Sequence, residues 1–340
     1  MRLDHIINEK FEPVSEFISN VIFYSIKYGE ANIKLIVVWL FLAALFFSFY
    51  LKFVNIWGFK HSIDLISGKF KNRFDKAKGE VTHFQALTAA LSGTVGLGNI
   101  AGVAVAVSLG GPGATLWMIF AGFLAMAAKF VECSLGLKYR TFNRDGTVSG
   151  GPMYYLSKGL KEGGYARLGK GLAILFAILC VGASFGGGNA AQSNQAALQI
   201  ASMFGMSGGS AGTIIGIVLA AVVGIVIIGG IKRIASVTEK VVPFMAIIYV
   251  LACLFIILSN FSYIGDAFGL IFSNAFSMQA GFGGLVGVMI VGFQRAAFSN
   301  EAGAGSASIA HSAVKTKYPA SEGVVALLEP FIDTVVICTM

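Results

Sequence analysis

Residues 87–116 read LTAALSGTVGLGNIAGVAVAVSLGGPGATL. The run is apolar and long enough to cross a bilayer, yet Gly93, Thr94, Val95, Gly96, Leu97, Gly98 and Asn99 stand in its middle. Each glycine costs a helix interior about 1 kcal/mol relative to alanine. Three of them within six residues, beside Thr94 and Asn99, predict a break near the membrane midplane. Non-helical backbone is tolerated at that depth only where it is buried in protein or lines a polar cavity. Broken helices of this kind build the substrate and ion sites of secondary transporters.

Working outward, the whole chain fits that setting. It has 340 residues, 56% hydrophobic and 12% charged, whereas a soluble domain carries about 25% charge. Apolar runs of about 20 residues predict spans near 35–54, 85–110, 114–137, 171–201, 211–230, 241–260, 282–314 and 322–340. Residues 1–34 lack the long apolar core of a secretory signal, being interrupted by Glu9, Glu12, Glu16 and Glu30. They read as an amphipathic segment lying on the bilayer surface.

The net charge of +8 is confined to alternate connections. Lys60, Lys69, Lys71, Arg73, Lys76 and Lys78 fall in 55–82, and Lys138, Arg140, Arg144, Lys158, Lys161, Arg167 and Lys170 in 138–170. Connections 231–240 and 315–320 are basic too, while 111–113, 202–210 and 261–281 contain neither Lys nor Arg. This positive-inside alternation places the N-terminus outside and the basic loops in the cytoplasm, and it accounts for the charge without nucleic acid. No Gly-Lys-Ser/Thr phosphate loop is present and no His or Cys pair has metal-ligand spacing, so neither ATP-driven transport nor a cofactor is expected.

A second interrupted span covers 282–314, where Ser299-Asn300-Glu301-Ala302-Gly303-Ala304-Gly305-Ser306 lies midway. Under the charge topology the two broken spans run in opposite directions, five spans apart, and each is followed by an intact one. A five-helix unit repeated in inverted orientation is the simplest account. The competing structural reading, close helix packing at small residues, suits scattered positions such as Gly216 and Gly224 better than these polar clusters. A third polar cluster, CVGASFGGGNAAQSNQAA at 180–197, sets Phe185, Asn189 and Gln192 on one helical face. They line a site or bond neighbouring helices.

The charged residues within spans leave alternatives open. Lys129 and Glu132 are spaced to pair on one helix face. Arg295 and Glu301 flank the second break and either neutralise each other or gate a pathway. Glu329 and Asp333 share the last span with no basic residue, and so need partners elsewhere or water; His311 has no evident partner. A broken helix presents free N–H groups at one half-helix end and free carbonyls at the other, suited to a carboxylate and to Na⁺ or an ammonium. A small zwitterionic amino acid with a cation satisfies both.

The stretches FQALTAALSGTVGLGNIAGVA (84–104), GGPGATLWM (110–118), SGGPMYYL (149–156), ASFGGGNAAQSN (183–194) and FSNEAGAGSASIAHSAVKT (298–316) resemble the alanine or glycine:cation symporters, in the family's order. The resemblance runs from about residue 35 to 340. It implies an all-α polytopic membrane protein with a LeuT-like five-plus-five inverted repeat. One extra helix (35–54) precedes a first repeat at 85–260, made of helices 85–110, 114–137, 171–201, 211–230 and 241–260. The second repeat starts at 282–340. It further implies Na⁺-coupled uptake of alanine or glycine across the inner membrane, with H⁺ as the alternative coupling ion. The implied substrate contacts are Thr94, Gly96, Gly98 and Asn99 on the first break, Phe185, Asn189 and Gln192, and Ser299, Asn300 and Gly303 on the second. Na⁺ would sit near the breaks at Gly93 and Asn300.

Members of that family continue for about three more helices beyond the position of Met340, completing the second repeat. This sequence therefore reads as a C-terminally truncated symporter whose second repeat holds two helices. The rival functions are a channel or pore subunit, a membrane-embedded enzyme and a non-functional fragment. The oligomeric state is not legible in the sequence.

Overall fold

The computed structural model describes residues 2–28, 31–70, 77–206, 211–277 and 284–340. Lys71, Arg73 and Lys76 of the first basic connection lie outside them. Among the described residues, two short antiparallel hairpins, β1 (Ser25–Tyr28) with β2 (Ala31–Lys34) and β3 (Thr141–Phe142) with β4 (Val148–Ser149), and one parallel bridge between Val81 and Val314 accompany a mainly helical chain.

Helix α1 (Arg2–Ile22) exposes Phe11, Val14, Phe17, Ile18 and Val21 at helical spacing. Beyond the first hairpin, α2 (Leu35–Tyr50) turns through 77° into α3 (Val54–Ile66), within the stretch read from sequence as a connection. Lys52 and Phe53 take left-handed backbone at that corner.

The first polar run does break its helix. α4 (His83–Thr94) and α5 (Leu97–Gly110) meet at 44°. α4 starts on a capping box, in which Thr82 Oγ1 accepts from the Gln85 amide at 3.2 Å and Gln85 Oε1 from the Thr82 amide at 3.0 Å. The break falls at Val95 and Gly96, where Asn99 Oδ1 accepts the Gly96 N–H at 2.8 Å. An Asn side chain thus takes over a donor that the helix ladder has left.

α6 (Gly113–Lys138) is the central helix. It packs against α2, against α12 (Gly284–Asn300), α13 (Ser306–His311) and α14 (Pro319–Ala326), and against the final segment. Asn274 Oδ1 accepts from the Gly113 amide and Trp117 donates to the Ala275 carbonyl, so α6 is anchored at its start by α11 (Ile264–Ala275). Small residues let the backbones close up: a Cβ added at Gly136 would stand 2.9 Å from the Ser308 carbonyl oxygen. Val54, Leu87, Leu91, Met126, Val325 and Leu327 form the main apolar core around the same axis.

The remaining helices present large apolar surfaces. α7 (Pro152–Glu162) leads to α8 (Ala166–Met203), a single long helix with a π-helical stretch at Ser184–Ala190. Then come α9 (Ala211–Ile227) and α10 (Gly230–Ser259). An added Cβ at Gly216 or Gly224 would have nothing within 4 Å, so the packing role given to these two glycines is not what the structure shows.

After α12 the second polar run also breaks its helix. Glu301, Gly303 and Gly305 all take positive φ, at 52°, 87° and 92°. Two of the three are glycine, which adopts that region without a Cβ penalty. The chain ends through α14, a turn α15 (Leu328–Pro330) and a π-helical stretch, Phe331–Ile337. Among the described residues α6, α8 and α10 are long and apolar enough to cross a membrane, and up to five spans result if α2–α3 and α4–α5 each count as one.

Candidate functional site: the junction of two broken helices

The two breaks meet through Asn99, Ser299 and Asp333. Asn99 Nδ2 lies 2.8 Å from Asp333 Oδ1 and 3.1 Å from Ser299 Oγ. Ser299 Oγ donates to Asp333 Oδ2 at 2.7 Å, and Thr334 Oγ1 donates to the same oxygen at 2.8 Å. Asn300 Nδ2 donates to Thr334 Oγ1 at 3.0 Å, while its own Oδ1 accepts from the Ala302 amide inside the second break. All five side chains are buried. The backbones touch here too, since a Cβ on Gly98 would stand 3.2 Å from Ser299 Cα.

The π-helical turn at Phe331–Ile337 bears both Asp333 and Thr334. Such turns widen a helix and often occur at functional positions. The result is a carboxylate held among amides and hydroxyls with no Lys, Arg or His in ion-pair reach among the described residues. Hydrogen bonds alone do not compensate a buried charge; it needs a proton or a cation. The oxygens gathered here are hard donors, suited to an alkali cation or an ammonium; the Cys338 thiol lies beside them, 3.3 Å from Asn99 Nδ2.

The other residues singled out from sequence divide. Thr94 Oγ1 is buried at the end of α4 without a hydrogen-bond partner among the described residues, and a Cβ on Gly93 beside it would meet none of them within 4 Å. Gln192 reaches the first break: its Oε1 accepts from the Leu97 amide at 3.4 Å and would stand 3.3 Å from a Cβ on Gly96. Phe185 and Asn189 are not brought there. Both are exposed on the π-helical stretch of α8, Phe185 by 71%. The Gly303 amide is already engaged, donating to Glu132 Oε2 at 3.1 Å.

Beside this junction lies a buried string of charges that the sequence reading largely missed. Lys129 Nζ is 3.1 Å from Glu329 Oε1, not paired with Glu132 as the i,i+3 spacing suggested. A tertiary partner of opposite charge within reach outweighs a local one, and Glu132 is left free to cap the second break. His311 also has partners: Nδ1 lies 2.5 Å from Glu322 Oε1 and Nε2 lies 3.8 Å from Glu329 Oε2. His83 Nδ1 contacts the other oxygen of Glu322. The seven-residue spacing of Glu322 and Glu329 was the available signal. Arg295 and Glu301 do not pair with each other; Glu301 Oε2 accepts from Ser306 Oγ instead.

Just past α6, Arg140 closes the end of this region. It donates to the carbonyls of Ser312, Val314 and Thr316 at 2.8, 2.6 and 2.7 Å. These carbonyls lie on the segment that follows α13, and the guanidinium fork reaches all three at once. Burial lowers the Arg140 pKa, against the opposing charge of Glu322.

Long apolar helices, two mid-helix breaks and a buried polar junction between them define a multi-pass helical membrane protein of the broken-helix kind. The chain belongs to the sodium:alanine symporter family, whose model matches residues 16–340. It is 46% identical over 297 residues to the sodium/alanine symporter AgcS of Methanococcus maripaludis, a match covering 87% of this chain and 64% of that protein. Two proteins of Bacillus subtilis are also similar. The amino-acid carrier protein AlsT is 37% identical over 87% of this chain and 60% of its own length. A protein named "Probable sodium/glutamine symporter GlnT" is 35% identical over 90% of this chain and 61% of its own. The chain thus spans somewhat under two thirds of the length of these relatives.

Proposed function

We propose that the chain serves in sodium-coupled symport of a small neutral amino acid, alanine or glycine, into the cell by alternating access. The observation that carries this is the Asn99–Asp333–Ser299 junction, which joins both broken helices around a carboxylate with no countercharge among the described residues. Na⁺ or the substrate ammonium supplies that charge. Thr94, Gly96, Gly98, Asn99, Gln192, Ser299, Asn300 and Gly303 are assigned as substrate contacts around the breaks, with Phe185 and Asn189 joining when α8 closes over them. Asp333 and Thr334 are added as cation contacts. The names of the relatives support a cation-coupled amino-acid carrier and divide on the substrate. Alanine or glycine is preferred because the junction leaves little space between Gly98 and Ser299.

The scaffold assigned to this activity is the LeuT-like inverted repeat. Residues 85–260 form its first unit, 282–340 begin the second, 35–54 form a peripheral helix and 1–34 a surface segment. The N-terminus is placed outside the inner membrane and the basic loops in the cytoplasm by the positive-inside rule.

The test is uptake in proteoliposomes under a Na⁺ gradient. It uses the 340-residue chain and, in parallel, a chimera extended with the AgcS residues beyond the match. Na⁺-driven accumulation of alanine or glycine by either protein is expected, with alanine amide and propionate competing poorly because both charged ends are read. Accumulation by neither protein, or strong competition by propionate, contradicts the reading.

A further inference from the structure

His311 stands where a proton has to be. Its Nδ1 faces Glu322 Oε1 at 2.5 Å, and against an ionised carboxylate, which only accepts, that nitrogen is the donor. The other nitrogen, Nε2, is fully buried, makes no hydrogen bond among the described residues and points to Glu329 Oε2 at 3.8 Å. Whether His311 is neutral or charged is decided at this one atom.

The surrounding charges require an answer. α6 brings Lys129, Glu132 and Cys133; α4 brings His83; Arg140 follows α6, Tyr155 comes from α7, and Glu329 and Asp333 come from the final segment. On α3, Lys60 and His61 are exposed and Asp64 pairs with Lys69. Glu239 is half-buried on α10, which packs on α4. Asp333 belongs to the cation site described above. Three carboxylates, Glu132, Glu322 and Glu329, then face two permanent cations, Lys129 and Arg140. Uncompensated charge costs several kcal/mol in such surroundings. Both oxygens of Glu322 already face imidazole nitrogens, so a metal ion finds no place on it.

We propose that His311 Nε2 is a proton-binding site. The proton is held as imidazolium between Glu322 and Glu329 in the packed arrangement, and passes to water when α13 and α14 part from α6. The bond that breaks is Nε2–H, its electron pair stays on the ring, and water, becoming hydronium, or a buffer base takes the proton. His83, at the less buried end of the string, marks the exit. Coupling to opening rests on the transport reading above; the site itself does not.

Nitrogen-15 NMR of the histidine-labelled chain in lipid nanodiscs tests it, with the His311 signal assigned by its loss in His311→Asn. At about pH 7.5, where an ordinary imidazole is mostly neutral, wild-type His311 is expected with both ring nitrogens protonated. Glu329→Gln should reduce proton affinity at His311 at least tenfold. A neutral wild-type His311 at that pH overturns the proposal, whatever Glu329→Gln does. If His311 is imidazolium but neither protein in the uptake assay accumulates amino acid, the transport reading falls and the proton site stands. In an active protein, adding Na⁺ and alanine should change the His311 signal; an unchanged signal removes the coupling.

Discussion

Asn99 Nδ2 and Asp333 Oδ1, 234 residues apart in sequence, lie 2.8 Å apart at the junction of the two broken helices. The same Asn99 caps the Gly96 amide through its other amide atom. One side chain therefore ends the first break and ties it to the last helix. Asn99→Ala removes both functions and leaves the Asp333 carboxylate short of a donor. Hydrogen bonds to charged groups contribute about 1.5–3 kcal/mol, and we expect a loss of that order in thermal unfolding in detergent, together with loss of uptake. Unchanged melting of Asn99→Ala would place the junction's stability elsewhere.

Gly98 sits where α5 meets α12. A methyl group 3.2 Å from Ser299 Cα forces the helices apart, and overpacking typically costs about 1–3 kcal/mol. Gly98→Ala should weaken uptake, and Gly98→Leu or Gly96→Leu should abolish it while membrane insertion persists. Wild-type transport by both leucine variants would show that the backbones need not approach there.

Lys129 neutralises Glu329 inside the protein. Lys129→Met leaves that carboxylate buried and unpaired, at a cost of about 3–5 kcal/mol. The double variant Lys129→Met/Glu329→Gln removes the charge as well and should recover most of the loss. Stability equal in the single and double variants would mean that the ion pair contributes nothing beyond its parts.

Orientation is tested by single cysteines in a background free of native cysteines. A cysteine at Ser157, on α7 in a basic connection, should be shielded from impermeant maleimide added outside cells. One at Ser207, which lies outside the described residues, should react. The reverse pattern would invert the assigned topology.

Both breaks were legible in the sequence, because clustered glycines beside Thr94, Asn99, Ser299 and Asn300 are too costly in a helix within hydrocarbon to be accidental. The partners of the charged residues were not. Spacing offers Glu132 to Lys129, but Glu329 reaches Lys129 from a helix that only tertiary packing brings near. Asp333 was recognised as needing a partner, yet that its partners are Asn99 and Ser299 depends on a π-helical turn that no periodicity announces. Phe185 and Asn189 share a face with Gln192 on a regular helix. The π-helical stretch shifts that register, and only Gln192 arrives at the break.

The central claim is that Asp333 supplies the charge against which the coupling cation binds. The direct measurement is the Na⁺ dependence of thermal stability and of alanine binding, for the wild-type protein and Asp333→Asn in the same detergent. A ligand that binds only the folded state raises its stability by about 2.7 kcal/mol at one hundred times its Kd. The wild type should therefore be stabilised by Na⁺ but not by K⁺. Asp333→Asn, with the same shape and no charge, should fold as well or better without Na⁺ and lose the response. Full Na⁺ stabilisation and Na⁺-dependent alanine binding in Asp333→Asn would contradict the account.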